Sequence, residues 1–260
     1  MSQQLCADAL RQYLKHVQSA VDVRVFETID STNNEAKRMC LDGYAGRLLL
    51  AADRQSGGRG RMGRSFYSPA QTGAYFSILY TPVSPLFSAV SVTGAAAVAV
   101  MRAIRDLTGK QTQIKWVNDL YLDDKKVCGI LAEAVSQGAQ TQVIVGIGIN
   151  LTTKDFPQEL SAIAGALGGD AVDRERLIAA VYEELEPYLE DPADRSYLAE
   201  YRAHSAVLGR EITWSADGTV KRGIATAIDD DGALLVRAEN GREERLFSGE
   251  ISVRIQGNQK

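Results

Sequence analysis

The clearest chemistry in this sequence lies in a glycine- and arginine-rich segment, the arginine loop, residues 54–64. Glycines let a backbone come within hydrogen-bonding distance of phosphate, and guanidinium groups such as those of Arg59 and Arg61 grip phosphate or carboxylate through two parallel hydrogen bonds. The segment lacks the Lys-Ser/Thr pair of a Walker A loop and the following helix of a dinucleotide-binding turn. It therefore predicts a mobile anion clamp, with an exposed basic loop as the simpler alternative.

Three further segments hold polar residues or glycines in or beside predicted strands. Lys115 closes a short strand ahead of Trp116, where it can place a point charge in a cleft or extend along the surface over the ring. Residues 31–33, Ser-Thr-Asn, can recognise polar ligand atoms or cap a helix. Gly146 and Gly148 weaken a strand unless a ligand or backbone approaches closely, with a β-bulge as the alternative.

The elements that must position these residues are predicted from apolar periodicity. Residues 1–20 predict a short amphipathic helix and residues 23–29 a strand. A helical pattern follows at 36–41, for which Thr32 and Glu35 have the spacing of a capping box. Further strands are predicted at 47–53 and 73–81, a small-residue-rich helix at 89–107, and antiparallel strands with tight turns, one of them at Gly138, over 113–150.

The C-terminal part differs in its predicted elements, which are mainly short strands separated by turns. Residues 173–189 predict an amphipathic helix with Asp173 as its N-cap, and five short strands with hairpin signals follow Leu208. Five such strands in about fifty residues are typical of a small SH3-type barrel. We therefore predict a short N-terminal helix in 1–20, one domain over 21–205 and a second over 206–260.

Composition limits the class of protein. Hydrophobic and charged fractions of 45% and 24% are ordinary for a globular chain, and no apolar run reaches the roughly 18 residues of a membrane span. No signal peptide is visible at the N-terminus, so we expect a cytoplasmic protein without a membrane partner. A net charge of −4 argues against nucleic-acid binding. Three scattered cysteines and only two histidines predict buried free thiols rather than zinc or disulfides.

Four segments, taken in order, resemble one family. STNNEAKR at 31–38, RQSGGRGRMGRSFYSP at 54–69, IKWVNDLYLDDKKVCGILAE at 114–133 and VIVGIGIN at 143–150 are similar to the motifs of biotin-protein ligases. The similarity is strong over residues 21–150 and looser over the C-terminal strands. Any one of these motifs is weak evidence alone, whereas four at the family's spacing are specific.

The resemblance implies an α+β fold: a mixed β-sheet flanked by helices, as in class II tRNA synthetases and lipoate ligases, and a small C-terminal SH3-like β-barrel. It implies an ATP- and Mg²⁺-dependent enzyme that makes biotinyl-5′-AMP and transfers biotin to a lysine of a biotin carboxyl carrier protein. The family's biotin or biotinyl-AMP contacts carry over to Ser31, Thr32, Asn33, Gln55, Arg59, Gly60, Arg61 and Lys115. Phe66 and Asn150 fall on the adenine side, and the expected catalytic cations are Lys115, Arg59 and Arg61.

Some positions depart from the family pattern. Val117 stands where proline is frequent, Phe66 where tryptophan is frequent, and Met62 where arginine is frequent. A phenyl ring still stacks on adenine, so we expect altered nucleotide affinity rather than loss of activity. One short N-terminal helix is too little for the winged helix-turn-helix of family members that repress transcription, so we expect no DNA binding.

Two other functions stay open from the sequence. Lipoate-protein ligases share the sheet, the adenylate chemistry and a Ser-Gly-Gly like that at 56–58, but their loop usually continues with glycine and later a histidine rather than with Arg59. A non-enzymatic RNA-binding protein could use the arginine loop, although such segments usually come as repeats in basic chains. Monomer and homodimer are both open, and no metal ligands are visible.

Overall fold

The structure, a computed structural model, describes residues 4–15, 17, 20–82, 89–137, 140–168, 172–216, 218–247 and 251–253. The helices within them are Ala7–Tyr13 (α1), Thr32–Leu41 (α2), Ala89–Thr108 (α3), Arg174–Glu190 (α4) and Tyr197–Ala203 (α5). The strands are Asp22–Ile29 (β1), Leu48–Gln55 (β2), Gly73–Tyr80 (β3), Gln113–Lys115 (β4), Asp119–Leu122 (β5), Lys125–Gln137 (β6), Gln140–Asn150 (β7), Glu211–Ala216 (β8), Thr219–Ile228 (β9), Leu234–Ala238 (β10), Glu243–Leu246 (β11) and Ile251–Val253 (β12).

A seven-stranded sheet with the order β1-β2-β3-β7-β6-β5-β4 forms the framework of the larger unit. β1 and β2 are parallel, and every other neighbouring pair is antiparallel. The predicted mixed sheet is therefore confirmed. The antiparallel pairing predicted for residues 113–150 is confirmed as well, while the turn predicted at Gly138 lies outside the described residues.

Helices cover both faces of this sheet, which explains why the apolar run of β2 does not alternate with polar residues. Leu49 and Ala51 face the core formed with α3 and α4, whereas Leu48 and Leu50 face a smaller core formed with α2. The side chains of α3 that reach the larger core are mostly alanine and valine.

The five C-terminal strands form an antiparallel sheet with the order β11-β10-β9-β8-β12. Its buried residues, among them Trp214, Leu234 and Val236, belong to the same continuous core as the larger unit. The sheet agrees with the predicted SH3-like C-terminal unit, and within the described strands β11 and β12 are its edges. The domain boundary between residues 205 and 206 stays a prediction.

The start of α2 corrects one local prediction. The helix begins at Thr32 rather than near Ala36, and its N-cap is Ser31, which makes no side-chain capping bond. The Thr32 hydroxyl bonds to Gln55 instead of a helix N–H, and Glu35 pairs with Arg38. The capping-box prediction is therefore wrong, because tertiary partners outcompete the local bond.

Two smaller predictions concern the α4 cap and the thiols. Asp173 caps α4 by accepting a bond from the Arg176 N–H, as predicted. Cys40 and Cys128 are buried free thiols, but Cys6 is exposed, so the thiol prediction is wrong for Cys6. Within the described residues, no helix has both the length and the apolar character needed to span a bilayer.

Candidate functional site

A cleft that is open to solvent lies between the start of α2, the arginine loop and strands β6 and β7. Eight of the ten predicted site residues line it: Ser31, Thr32, Asn33, Gln55, Arg59, Gly60, Arg61 and Phe66. The other two, Lys115 and Asn150, are not among the described residues that line the cleft.

The polar floor of the cleft consists of Ser31, Thr32, Asn33 and Gln55, and Ser77 lies directly beneath it. The backbone N–H and the hydroxyl of Thr32 both donate to Gln55 Oε1, at 2.9 and 3.1 Å. The Ser77 hydroxyl lies 2.7 Å from Thr32 Oγ1 and 2.6 Å from Asn33 Oδ1. The floor is neutral and internally hydrogen-bonded, which suits recognition of uncharged polar ligand atoms.

The arginine loop is tied down at its base and exposed at its tip. The Gly57 N–H donates to the Asp30 carbonyl at 2.8 Å, and the Phe66 N–H donates to the Gly58 carbonyl at 2.9 Å. Between these ties Met62 is 77% exposed. Within the tip, the Gly60 N–H donates to the Arg64 carbonyl at 2.7 Å, so the tip is an internally bonded turn that projects from a fixed base.

Two guanidinium groups of the loop reach the cleft wall. Arg59 Nη1 lies 3.1 Å from Glu133 Oε1 and donates to Asn34 Oδ1 at 3.2 Å. Arg61 Nη1 donates to Asn118 Oδ1 at 3.1 Å. The structure thus places two permanent positive charges beside the neutral floor.

The glycines of β7 make room for two site side chains. A Cβ on Gly148 would lie 2.5 Å from Cε1 of Phe66, and one on Gly146 would overlap Asn33 Oδ1. The pairing of β7 with β3 and β6 continues without a register shift. The β-bulge alternative is therefore wrong, and the close approach is made by side chains of the protein itself.

The lysine segment brings a different lysine to the cleft from the one predicted. Lys115 ends β4, and its Nζ lies 3.4 Å from the Tyr121 hydroxyl and 5.3 Å from the ring centroid. Lys126 on β6 lines the cleft, and its Nζ lies 2.7 Å from Asp119 Oδ1. The segment therefore places Lys126 at the cleft, paired with Asp119, and Lys115 against Tyr121, outside the lining of the cleft.

Asn150 ends β7 and is 3% exposed. Its Nδ2 donates to the Gly165 carbonyl at 2.9 Å, so it holds the 151–168 segment against the sheet. Its Oδ1 is buried without a hydrogen-bond partner among the described residues. A buried acceptor of this kind favours a donor from a ligand or water.

Two buried hydrogen bonds hold the lysine segment, one to a turn of the C-terminal sheet and one from α5. Trp116 Nε1 donates to the Gly232 carbonyl, in the turn between β9 and β10, at 3.0 Å. The Tyr201 hydroxyl donates to the Val117 carbonyl at 3.1 Å, and burial raises the pKa of Tyr201 far above its ordinary value. Both donors are buried and protonated, so they fix the backbone that leads from Lys115 to the cleft.

One strongly shifted carboxyl lies between the floor and the loop. Arg38 donates to both oxygens of Asp30, at 2.7 and 3.1 Å, and Asn34 donates to one of them at 2.9 Å. The guanidinium of Arg38 holds the pKa of Asp30 well below its usual range. Asp30 therefore stays ionised and anchors the turn into α2.

Sequence reasoning did not assign four residues that complete the site: Ser77, Asn118, Lys126 and Glu133. Asn118, Lys126 and Glu133 lie within the motif at 114–133, so their spacing was a usable signal. Ser77 lies in an apolar strand and has no sequence signal. It is found only because β3 passes beneath the start of α2.

Comparisons with known proteins agree with this geometry. The Biotin/lipoate A/B protein ligase family matches residues 25–150, and the Biotin protein ligase C terminal domain matches residues 207–254. The bifunctional ligase/repressor BirA of Bacillus subtilis (strain 168) is 31% identical over 236 residues, which are 87% of this chain and 72% of the relative. The biotin--[acetyl-CoA-carboxylase] ligase of Paracoccus denitrificans is 32% identical over 228 residues, which are 82% of this chain and 93% of the relative.

A solved structure extends the comparison to the fold. The biotin protein ligase from Aquifex aeolicus, in complex with biotin and ATP, has a TM-score of 0.75 at 28% identity and covers 90% of this chain and 98% of its own. The family matches, the identities to the relatives and the similarity of fold all extend over most of the chain. This chain belongs to the biotin-protein ligase family.

Proposed function

We propose that this chain is an ATP-dependent ligase that makes biotinyl-5′-AMP and transfers the biotinyl group to a lysine of a biotin carboxyl carrier protein. The observation that carries the proposal is the presence, in one cleft, of a neutral polar floor and two guanidinium groups. The floor suits an uncharged ring with polar atoms, and guanidinium groups suit phosphate oxygens. A biotinyl-adenylate contains both.

In the first step, a carboxylate oxygen of biotin attacks the α-phosphorus of ATP, and the bond to the departing pyrophosphate breaks. Negative charge builds up on the phosphorus oxygens and on pyrophosphate. Arg59 and Arg61 would stabilise this charge from the loop, with Lys115 and Lys126 contributing from the lysine segment. Positioned cations of this kind act without reorganisation, and the loss of one commonly costs about 3 kcal/mol of barrier.

The polar floor would select biotin. A ureido ring offers a carbonyl acceptor and two N–H donors, and the floor offers hydroxyl and amide groups of both kinds. An acid without the ureido group would leave buried polar atoms unpaired, which discriminates strongly.

The adenine would lie on the side of Phe66 and Asn150. A phenyl ring can stack on adenine, and the buried Oδ1 of Asn150 can accept a bond from an amino group. Mg²⁺ would enter on the phosphates of ATP, since this ion usually keeps several waters and needs only one or two protein carboxylates.

In the second step, the neutral amine of an acceptor lysine attacks the carbonyl carbon of the mixed anhydride. The bond from that carbon to the bridging oxygen breaks, and AMP leaves with the bridging oxygen on its phosphate. The amine loses a proton, so an acceptor for that proton is needed. The acceptor protein, the cytoplasmic location and a monomeric or homodimeric state all belong to the proposal rather than to the geometry.

The decisive experiment mixes the protein with ATP, Mg²⁺, a carboxyl carrier domain and either biotin or lipoate, and weighs the products by intact mass. We expect the carrier to gain one biotinyl group and no lipoyl group. A lipoylated carrier would favour the lipoate-ligase alternative, and an unmodified carrier with both acids would contradict ligase function. Filter binding of RNA across a salt series tests the remaining alternative, because phosphate contacts give a steep salt dependence.

A further inference from the structure

Glu133 on β6 has no part in the proposed reaction, yet it contacts two residues of the cleft at once. Its Oε1 lies 3.1 Å from Arg59 Nη1, and its Oε2 accepts a bond from Asn33 Nδ2 at 2.8 Å. One carboxylate thus bridges the arginine loop and the polar floor.

The contacts of Arg59 are all made by one nitrogen. Nη1 approaches Glu133 and Asn34, whereas Nη2 and Nε have no protein partner among the described residues. A guanidinium group is a rigid planar fork. Holding Nη1 therefore sets the plane of the fork and leaves its other edge available to an anion.

The contacts of Asn33 fix the amide in one orientation. Nδ2 donates to Glu133, and Oδ1 lies 2.6 Å from the hydroxyl of Ser77. The missing side chain of Gly146 provides the space for this amide. Asn33 is 4% exposed, so the floor end of this link is buried, whereas the Glu133 side chain is 24% exposed.

We propose that Glu133 is a positioning residue for the proposed reaction, acting through Arg59. It holds one nitrogen of that guanidinium against β6, so that the opposite edge faces the phosphate of the adenylate. Asn33 in turn holds the carboxylate, which makes the position of Arg59 depend on the polar floor. The inference rests on the proposed function and goes beyond it by assigning a residue that does not touch substrate.

The test is a double-mutant cycle of Glu133→Gln with Arg59→Ala, read by biotin-dependent pyrophosphate exchange. A glutamine still accepts a bond from Asn33 but places an amino group or a neutral oxygen against Nη1. We expect kcat for adenylate formation to fall roughly ten- to hundredfold, as small misplacements of a catalytic group do. The Kd for biotin alone, measured by calorimetry, should change less than about threefold. In the Arg59→Ala background, Glu133→Gln should cause no further loss, because residues that act through one another are not additive.

Two further variants control the cycle. Glu133→Asp keeps the charge on a shorter side chain and should give a rate between those of the parent and Glu133→Gln. If Glu133→Gln lacks a cooperative thermal transition, the same cycle is run with Glu133→Asp. Glu184→Gln removes an ion pair of similar length, 3.1 Å to Arg102, on α4 and should exchange pyrophosphate like the parent.

The outcomes separate this inference from the proposed function. A parent protein without exchange contradicts the proposed function. An active parent with an equally active or faster Glu133→Gln contradicts the role of Glu133, because the carboxylate would then be idle or would compete with phosphate for Arg59. Losses that multiply in the double variant also overturn it, since Glu133 would then act independently of Arg59.

Discussion

The polar floor and the arginine loop face the same cleft but differ in burial, charge and bonding. Ser31, Thr32 and Ser77 are at most 3% exposed and uncharged, whereas the Arg59 side chain is 38% exposed and Met62 is 77% exposed. The floor rests on α2 and β3, while the loop is an exposed turn held by its base and by the side chains of Arg59 and Arg61. A buried, preorganised floor suits selection of a neutral group, and an exposed cationic loop suits closure over a charged intermediate.

The largest effect is expected on the cationic side. Lys115→Ala should lower adenylate formation by roughly two to three orders of magnitude, because a positioned cation is worth about 3 kcal/mol in such a transition state. Pyrophosphate exchange measures this, with circular dichroism to show that the fold is kept. Lys126→Ala should be at least as damaging, since Lys126 lines the cleft. Lys125→Ala, at an exposed neighbour, is the control, and an unchanged rate for Lys115→Ala would exclude a catalytic role.

Arg61→Gly tests closure of the loop. We expect biotinyl-AMP to dissociate roughly ten- to hundredfold faster, since a hydrogen bond to a charged group contributes about 1.5–3 kcal/mol. The released biotinyl-AMP should attach biotin to more bystander proteins, which intact-mass measurement would detect. Arg64→Gly, in the same loop but exposed, is the matched control. Equal retention of the adenylate by Arg61→Gly and the parent would show that the loop is no clamp.

Thr32→Val tests the floor. The change keeps the shape but removes a hydroxyl bonded to Gln55 and Ser77, so the affinity for biotin should fall about tenfold. Calorimetry with biotin alone measures it, and the KM for ATP should stay the same. Thr28→Val on the exposed side of β1 controls for the loss of a threonine hydroxyl. A change in the KM for ATP instead would contradict the proposal that the floor binds biotin and the loop binds phosphate.

Gly148→Ala tests the nucleotide side. The new Cβ would lie 2.5 Å from the Phe66 ring, so the ring must shift. We expect the KM for ATP to rise several-fold with a smaller change in kcat, because stacking contributes about 0.5–1.5 kcal/mol. Gly57→Ala, whose Cβ would meet only an ordinary contact at 3.5 Å, is the control. Steady-state kinetics with an unaltered KM for ATP would argue against adenine at Phe66.

The smallest effect is expected for Asp30, which lies between the polar floor and the arginine loop. Its folded pKa is depressed by Arg38, so its contribution to stability is present above the unfolded value of about 3.9 and is lost as the pH falls. Asp30→Asn should therefore reduce the free energy of unfolding at pH 7 by less than about 1 kcal/mol, because the pair is partly exposed. In urea titrations the difference in stability between variant and parent should begin to shrink below about pH 4 and keep shrinking as the pH falls further. A constant difference down to pH 2 would assign the effect to geometry rather than charge.

Much of the fold was predictable because local patterns report burial. The apolar run at 47–53 predicted a strand, and β2 spans Leu48–Gln55 with its first six residues buried. The mixed sheet, the flanking helices and the antiparallel C-terminal strands were all confirmed. The capping box at Thr32 and the bulge at Gly146 failed for a common reason. In both places a side chain from elsewhere in the chain supplies the contact.

The candidate site was predictable only in part. Motif spacing pointed to the floor and the loop, and the structure brings them together in one cleft. It also shows Lys126 at the cleft and Lys115 against Tyr121, a difference that strand order and side-chain direction decide. The roles of these residues stay predictions until the variants are measured.

By itself the sequence determined the positions of most helices and strands and the segments that carry cations and polar groups, because these features depend on residues close together in the chain. The α+β class followed from the resemblance to the family. Only the tertiary structure decided that Ser77 lies beneath the floor, that Glu133 bridges Asn33 and Arg59, and that Trp116 rests on the second sheet. Those contacts join residues 44, 74, 100 and 116 positions apart, and no local pattern specifies which distant partner a polar side chain will meet.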